Sequence, residues 1–457
     1  MLKSTQRLLL PLFVLMLAFS ACTNDANLIV TPPVKTVKDY DSKIVQDWIN
    51  MFMDIERNAA GYRPGPAARM MGYIGLSLYE ANVSGMPEYQ SIASRYTGLA
   101  VPQVENGKEY HWPTVVNAVH ATIYRKFFAN VVASDLFKIA SLENTYNIQY
   151  SSTVNSDIFA RSKAYGISVA NAVWDYSATD KEGHDRYLTP RPTDFTPPTG
   201  VGKWVPTAPG NERALFPYWG KVRTFAIQET DKLARPPLPY SEDKTSAYYA
   251  QGLELYAATT PQTYENQWIG EFWSDDVPGF TFSPAVRVWA VAMQIEAQQK
   301  SNLEAAIMAS VKSGLAVNDA SVACWYSKYY YNTERPVTYL QKMINPNWNI
   351  GSLTSTGFLR STPSFPAYPS GHATMSAAGF AALATVFGAN VSITDRCHEN
   401  RTDFNGKPRS FNTLYEMAQE DAISRIYIGV HFRMDCEEGV RMGYQVSRRV
   451  DALPFRK

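Results

Sequence analysis

The sequence predicts an all-α protein built from two packed helical bundles. Apolar residues recur every three or four positions through most of the chain, strand-like alternation is scarce, and no repeat of fixed period is present. The 457 residues are 45% hydrophobic, which supports a full-sized core and excludes global disorder. Forty-three basic and 42 acidic residues leave a net charge of +1. No global basic surplus exists to hold a nucleic-acid backbone, so nucleic acid is not an expected partner. Walker A, zinc-finger and dinucleotide glycine spacings are missing from the sequence.

Residues 1–21 read as a signal peptide. Lys3 and Arg7 precede an apolar stretch from Leu8 to Phe19, interrupted by Pro11 and too short for a mature membrane span. Phe19-Ser20-Ala21-Cys22 looks like a bacterial lipoprotein cleavage site, with Phe19 where leucine is usual. The expectation is cleavage before Cys22, lipidation of its thiol, and a periplasmic or outer-membrane location. The alternative is an ordinary secretory signal with a free Cys22. Residues 22–40 are polar, contain Pro32-Pro33 and read as a tether. Cys324, Cys397 and Cys436 remain; Cys397 and Cys436 have the option of pairing in an oxidising compartment, and Cys324 reads as a buried small hydrophobe.

An N-terminal helical region spans residues 41–240. Ile44, Trp48, Met51 and Ile55 open it at helical spacing, and further helices are predicted at roughly 66–82, 113–130, 133–147 and 155–176. Residues 188–217 carry seven prolines and read as a long irregular connection packed by Trp204, Phe216 and Trp219. The C-terminal bundle, residues 241–457, is predicted to hold helices at roughly 241–258, 283–299, 302–331, 373–388, 412–428 and 434–450. Glu271 to Asp276 is placed in a loop bounded by glycine and proline.

Three short segments carry chemistry. In the first, Lys328 is followed seven residues later by Arg335-Pro336. Seven helical steps turn about 700°, so both cations would share one helix face. The surroundings are strongly aromatic, which suggests partial burial, where unpaired charge is costly. A solvated basic face is the plainer reading of that pair. The second segment, Pro369-Ser370-Gly371-His372, precedes a helical run and so lies at a helix N-terminus, where free N–H groups and the dipole favour an anion. Ser370 adds a hydroxyl, Gly371 allows close approach of an oxyanion, and His372 stands beside it to move a proton. A simple N-cap is the plainer reading here. In the third, Ser424-Arg425 leads to His431 and then Asp435. Asp435 could orient one imidazole nitrogen and leave the other as ligand or nucleophile, while Arg425 offers a planar fork to oxyanion oxygens. Together the segments describe one pocket for a compact, multiply charged oxyanion with no magnesium-type carboxylate cluster. Phosphoryl transfer through histidine and vanadate chemistry both fit it.

In this order the segments resemble the signature shared by vanadium-dependent haloperoxidases and type 2 phosphatidic acid phosphatases. All eleven signature identities are present: Lys328, Arg335, Pro336, Pro369, Ser370, Gly371, His372, Ser424, Arg425, His431 and Asp435. The run Phe365 to Thr374, Arg335-Pro336-Val337-Thr338 and the earlier Arg63 to Ala68 resemble the haloperoxidase branch, particularly its bacterial iodoperoxidase-like and chloroperoxidase-like members. The added N-terminal helical region agrees with that branch. The lack of several long apolar spans argues against the membrane-embedded phosphatases.

The resemblance implies an acid phosphatase/vanadium haloperoxidase-like fold, vanadate as cofactor, and hydrogen peroxide and halide as partners. His431 would ligate vanadium and Asp435 would orient it. Lys328, Arg335, Ser370, Gly371, His372 and Arg425 would bind vanadate, with His372 as acid–base and Lys328 polarising bound peroxide. Trp325 and Phe365 would shape the halide-side wall. Iodide is the favoured halide, with bromide a further candidate. Two rivals are a periplasmic acid phosphatase using His431 as nucleophile and a lipid-anchored protein that captures an oxyanion without chemistry. On any of these readings the membrane is touched only through the anchor, and the oligomeric state is left open.

Overall fold

A computed structural model describes residues 34–275, 279, 281–350, 362–402 and 404–457. The expected signal segment and Cys22 lie outside the described residues. Residues 35–457 form one compact unit. Val37, within the segment read as a tether, is fully buried.

Thirteen α-helices account for most of the described residues. The N-terminal half holds α1 (Lys43–Glu56), α2 (Gly65–Asn82), α3 (Trp112–Phe127), α4 (Ala133–Ser151) and α5 (Ser156–Ala178). The second half holds α6 (Ala247–Thr259), α7 (Tyr264–Phe272), α8 (Pro284–Gln299), α9 (Leu303–Tyr331), α10 (Pro336–Met343), α11 (Gly371–Phe387), α12 (Leu414–Tyr427) and α13 (Arg433–Asp451). A short antiparallel ribbon, β1 (Ile393–Asp395) with β2 (Arg409–Phe411), lies between α11 and α12. The helical architecture matches the expectation from periodicity.

The spine of the molecule is α2 against α9, with α11 packed on α9, α8, α12 and α13. Small residues make this possible. A methyl group on Gly314 of α9 would stand 2.4 Å from the Met71 carbonyl oxygen of α2. On α13, a methyl at Gly439 would stand 2.9 Å from both the Ala373 Cβ and the Ser370 carbonyl oxygen. The second contact seats α13 directly on the start of α11. Helix α11, rich in alanine and glycine, buries nearly its whole circumference, as an all-round apolar helix must.

Four expectations are corrected. Glu271 and Phe272 end α7 rather than lying in a loop, because the Thr263 side chain caps that helix and a short apolar stripe buries Ile269 and Phe272. Helix α10 was not anticipated. Lys328 and Arg335 do not share a helix: α9 stops at Tyr331, Asn332 takes the left-handed conformation at φ 53°, and Arg335 becomes the N-cap before Pro336 at the first position of α10. Lastly, Cys324, Cys397 and Cys436 are all free thiols, so the pairing weighed for Cys397 and Cys436 is not formed.

Trp204, Phe216 and Trp219 are fully buried, as expected of a packed irregular connection. No helix of the described residues is long and apolar enough to cross a membrane.

The α2–α9 contact makes Gly314→Ala destabilising by about 1–3 kcal/mol, the usual cost of overpacking, read as a fall in chemical or thermal denaturation midpoint. Burial pushes the Glu296 carboxyl up to about 8, with Gln46 as its polar neighbour. Its folded value lies above its unfolded one, so the charge opposes folding increasingly as pH rises from about 4.5 towards 8. Glu296→Gln is therefore expected to raise stability above pH 8 by a few kcal/mol, since each tenfold change in proton affinity between the folded and unfolded chains carries about 1.4 kcal/mol. The gain should shrink towards pH 5 in denaturation curves.

Candidate active site

The three segments converge. Lys328 sits in the last turn of α9, fully buried, and its Nζ donates to the carbonyl oxygens of Pro366 at 2.9 Å and Ala367 at 2.8 Å. An ammonium has three N–H donors, so one remains for a ligand. Arg335 is fully buried too. Its Nε donates to the Phe365 carbonyl at 2.8 Å, and its Nη1 donates to the Val430 carbonyl at 2.9 Å and stands 3.2 Å from His431 Nε2. Its Nη2 has no hydrogen-bond partner among the described residues. Arg425, in the last turn of α12, donates from Nη1 to the Trp273 carbonyl at 3.3 Å, and its own carbonyl accepts the His431 N–H at 3.3 Å.

Ser370 is the N-cap of α11, and its hydroxyl accepts the Ala373 N–H. Its own N–H donates to the Asp435 carbonyl at 2.8 Å, tying the second segment to the third. A methyl added to Gly371 would stand 3.2 Å from the Trp325 ring and 4.0 Å from Lys328 Cε, so the start of α11 lies against both. His372 follows in the first turn, close enough for its charge to act on His431.

His431 and Asp435 hold one another across the N-terminus of α13. Asp435 Oδ2 is 3.0 Å from His431 Nδ1 and accepts the Phe432 N–H at 3.1 Å. The carboxylate that orients the imidazole therefore also caps the helix. Burial and the surrounding cations Arg335, Lys328 and Arg425 hold His431 well below the usual histidine range. These surroundings favour a neutral ring, with Nδ1 facing Asp435 and Nε2 facing Arg335.

Burial likewise pulls Lys328 and Arg335 below their usual ranges and pushes Asp435 up. Each change is first a cost of burial; the neighbouring cations Lys328 and Arg335 oppose the rise of Asp435, and the two arginines Arg335 and Arg425 add to the fall of Lys328 and Arg335 respectively. Trp325 is buried and points the same way as Lys328, as the three-residue spacing implied. Its ring and that of Phe365 are 4.9 Å apart, and Lys328 Nζ stands 5.7 Å and 5.0 Å from the two centroids. Arg335 stands 4.8 Å from the Phe365 centroid.

Sequence reasoning missed Asp421. It is buried one turn before Arg425 on α12, its carboxyl is pushed up to about 7 by burial, and it faces Arg425 and the Ser376 hydroxyl. The four-residue spacing to Arg425 was its available signal. The backbone acceptors at Phe365, Pro366, Ala367, Val430 and Trp273 had no sequence signal, since every residue carries a carbonyl. Surface clefts of about 550 Å³ and 530 Å³ are lined by none of the predicted site residues. The described residues contain no cluster of three histidine, cysteine or carboxylate groups able to hold a metal ion.

Residues 308–453 match the VCPO second helical-bundle domain. Vanadium chloroperoxidase of Curvularia inaequalis is 23% identical over 504 residues, covering 88% of this chain and 81% of that protein. Among solved structures, a bacterial vanadium-dependent iodoperoxidase superposes with a TM-score of 0.78 at 26% identity, covering 90% of this chain and 96% of that one. A holo-type bacterial vanadium-dependent chloroperoxidase superposes at 0.62 with 14% identity, covering 86% and 92%. With the signature residues brought together in the part that matches the second helical-bundle domain, and the likeness running through nearly the whole chain, these findings support a vanadium-dependent haloperoxidase.

Proposed function

We propose that this chain binds vanadate and oxidises halide with hydrogen peroxide to hypohalous acid, with iodide as the favoured halide and bromide as a second substrate. The observation that carries this is the closed cradle of Lys328, Arg335 and Arg425 around a neutral, carboxylate-oriented His431. The residues fit the group. A tetrahedral oxyanion brings several acceptors, and Arg335 Nη2 is a buried donor with no partner among the described residues.

Bound there, vanadate supplies a Lewis-acidic centre that makes peroxide electrophilic enough for halide attack. Each residue has a distinct part. His431 offers Nε2 as ligand, and Asp435 keeps the proton on Nδ1. Arg335, Arg425, Lys328, the Ser370 hydroxyl and the Gly371 N–H neutralise and orient the anion's oxygens. His372, beside this cluster, takes a proton from incoming peroxide and returns it to a departing oxygen. Lys328 is anchored by two carbonyls with its third N–H free to polarise the oxygen to be transferred. Trp325 and Phe365 exclude water on the side from which halide approaches.

Iodide suits such a wall. It is large, polarisable and weakly hydrated, so it gives up little on entering an aromatic pocket backed by cations, and it is the easiest of the halides to oxidise. The likeness to a bacterial iodoperoxidase supports the same choice. Export, cleavage before Cys22 and a lipid anchor there belong to the same proposal and rest on residues 1–22.

Vanadate-loaded protein is expected to oxidise iodide with peroxide well above the unloaded background. His372→Ala should lower kcat by about 10²–10⁴-fold, the range for a lost acid–base group, while vanadate affinity measured by equilibrium dialysis stays within a few-fold. Phosphomonoester turnover without vanadate, blocked by adding it, would instead establish the phosphatase reading. Intact function in His372→Ala would leave only anion capture. Independently, mass spectrometry of chain expressed in a bacterial host should find a diacylglyceryl-modified cysteine as the first residue; an unmodified Cys22 would remove the anchor.

A further inference from the structure

The proline-rich connection reaches the aromatic wall through one carbonyl. Leu215 O accepts the Tyr329 hydroxyl at 2.7 Å and the Trp325 indole Nε1–H at 3.4 Å. The same residue's N–H donates to the Ser364 carbonyl at 2.8 Å, immediately before Phe365. A side-chain cluster fastens the connection at this point. Arg191 Nη1 donates to the Ser364 hydroxyl at 2.6 Å and to the Arg213 carbonyl at 2.5 Å, and its Nη2 pairs with Glu212. The Ser364 hydroxyl reaches Glu212 at 3.4 Å.

The backbone is bent to present that carbonyl. Phe216 takes the left-handed conformation at φ 55°, unusual for a bulky residue, and its N–H donates to the Pro190 carbonyl at 2.7 Å. Its ring packs at 5.5 Å on Trp219, whose indole is held by the Ser321 hydroxyl of α9. The Trp325 ring is therefore tied to Leu215 and the connection holds Ser364 beside Phe365, while the groups that would hold the oxyanion are tied to the Phe365–Ala367 carbonyls and to Val430.

We propose that the Arg191–Ser364–Glu212 cluster is a positioning latch which, through Leu215, fixes Trp325 against Phe365 and thereby sets iodide affinity separately from vanadate affinity. This rests on the halide-oxidising reading above. None of the three side chains touches the anion cradle. Releasing them frees the Leu215 carbonyl to shift, and the indole follows its acceptor. Phe365 stays pinned by its own carbonyl to Arg335, so the spacing between the rings changes while the cations stay in place.

The test uses full-length protein carrying 5-fluorotryptophan, with the Trp325 fluorine resonance assigned by its loss in Trp325→Phe. Vanadate-free Arg191→Ala and Ser364→Ala proteins are expected to show that resonance displaced before any halide is added. Iodide titrated into them should bind about five- to tenfold more weakly than in the unaltered chain, the scale of one lost hydrogen bond. Vanadate affinity should stay within twofold. An unmoved resonance or an unmoved iodide affinity in both variants overturns the proposal. So does a parallel loss of iodide and vanadate affinity, which would mark a structural effect. If iodide leaves the Trp325 resonance of the unaltered chain unmoved, the halide-side reading of the wall fails, and the variants' resonances alone then judge the latch.

Discussion

Lys328, Arg335 and Arg425 are buried around one point, and most of the site follows from holding them there. Removing a charge from water is expensive unless it is paired and hydrogen-bonded. The protein meets this cost largely with neutral acceptors. Carbonyls of Phe365, Pro366, Ala367, Val430 and Trp273 receive the N–H groups of the three cations. Carbonyl dipoles fix direction without cancelling charge, so the positive potential persists. Had carboxylates been used throughout, the cations would be better stabilised and would have no need of an anion.

The fold supplies rigidity around that charge. Helix α11 brings its N-terminus into the cradle on a shaft of small residues, and Gly439 lets α13 close against it. Asp435 serves three contacts at once: it orients His431, caps α13 and accepts Ser370 through its backbone carbonyl. Further back, Arg287 is buried between Asp275 and Asp395 and stacks on Phe272 and Trp273. That closed ion cluster braces the segment whose carbonyl receives Arg425. It contrasts with the cradle, because its charges are matched by carboxylates.

Phosphate and vanadate ask for nearly the same pocket, since both are tetrahedral oxyanions of similar charge. What differs is the surroundings. The wall of Trp325 and Phe365 is aromatic and buried, with the one indole N–H already given to Leu215, and on the proposed reading it would exclude water from one side of the cradle. An apolar wall backed by cations suits a soft, weakly hydrated anion. On that same reading the second-half helices would hold the oxyanion, and the proline-rich connection would hold the wall through Leu215.

Much of this was legible in the primary structure. Helical periodicity located most of the helices because burying an apolar stripe demands it, and α7 and α10 escaped because stripes of eight or nine residues leave too few repeats to detect. Residue types and spacing sufficed for His372 at a helix start, for Trp325 beside Lys328, and for the His431–Asp435 pair, since these relations are local. The Lys328–Arg335 relation looked local and was not. A left-handed Asn332 ends the helix between them, and the two cations meet through tertiary packing. Asp421 facing Arg425 and Ser376, the carbonyls that receive the cations, and the hold of Leu215 on Trp325 were decided only in the folded chain. Backbone acceptors are chemically identical at every position, so only three-dimensional proximity selects which of them matter.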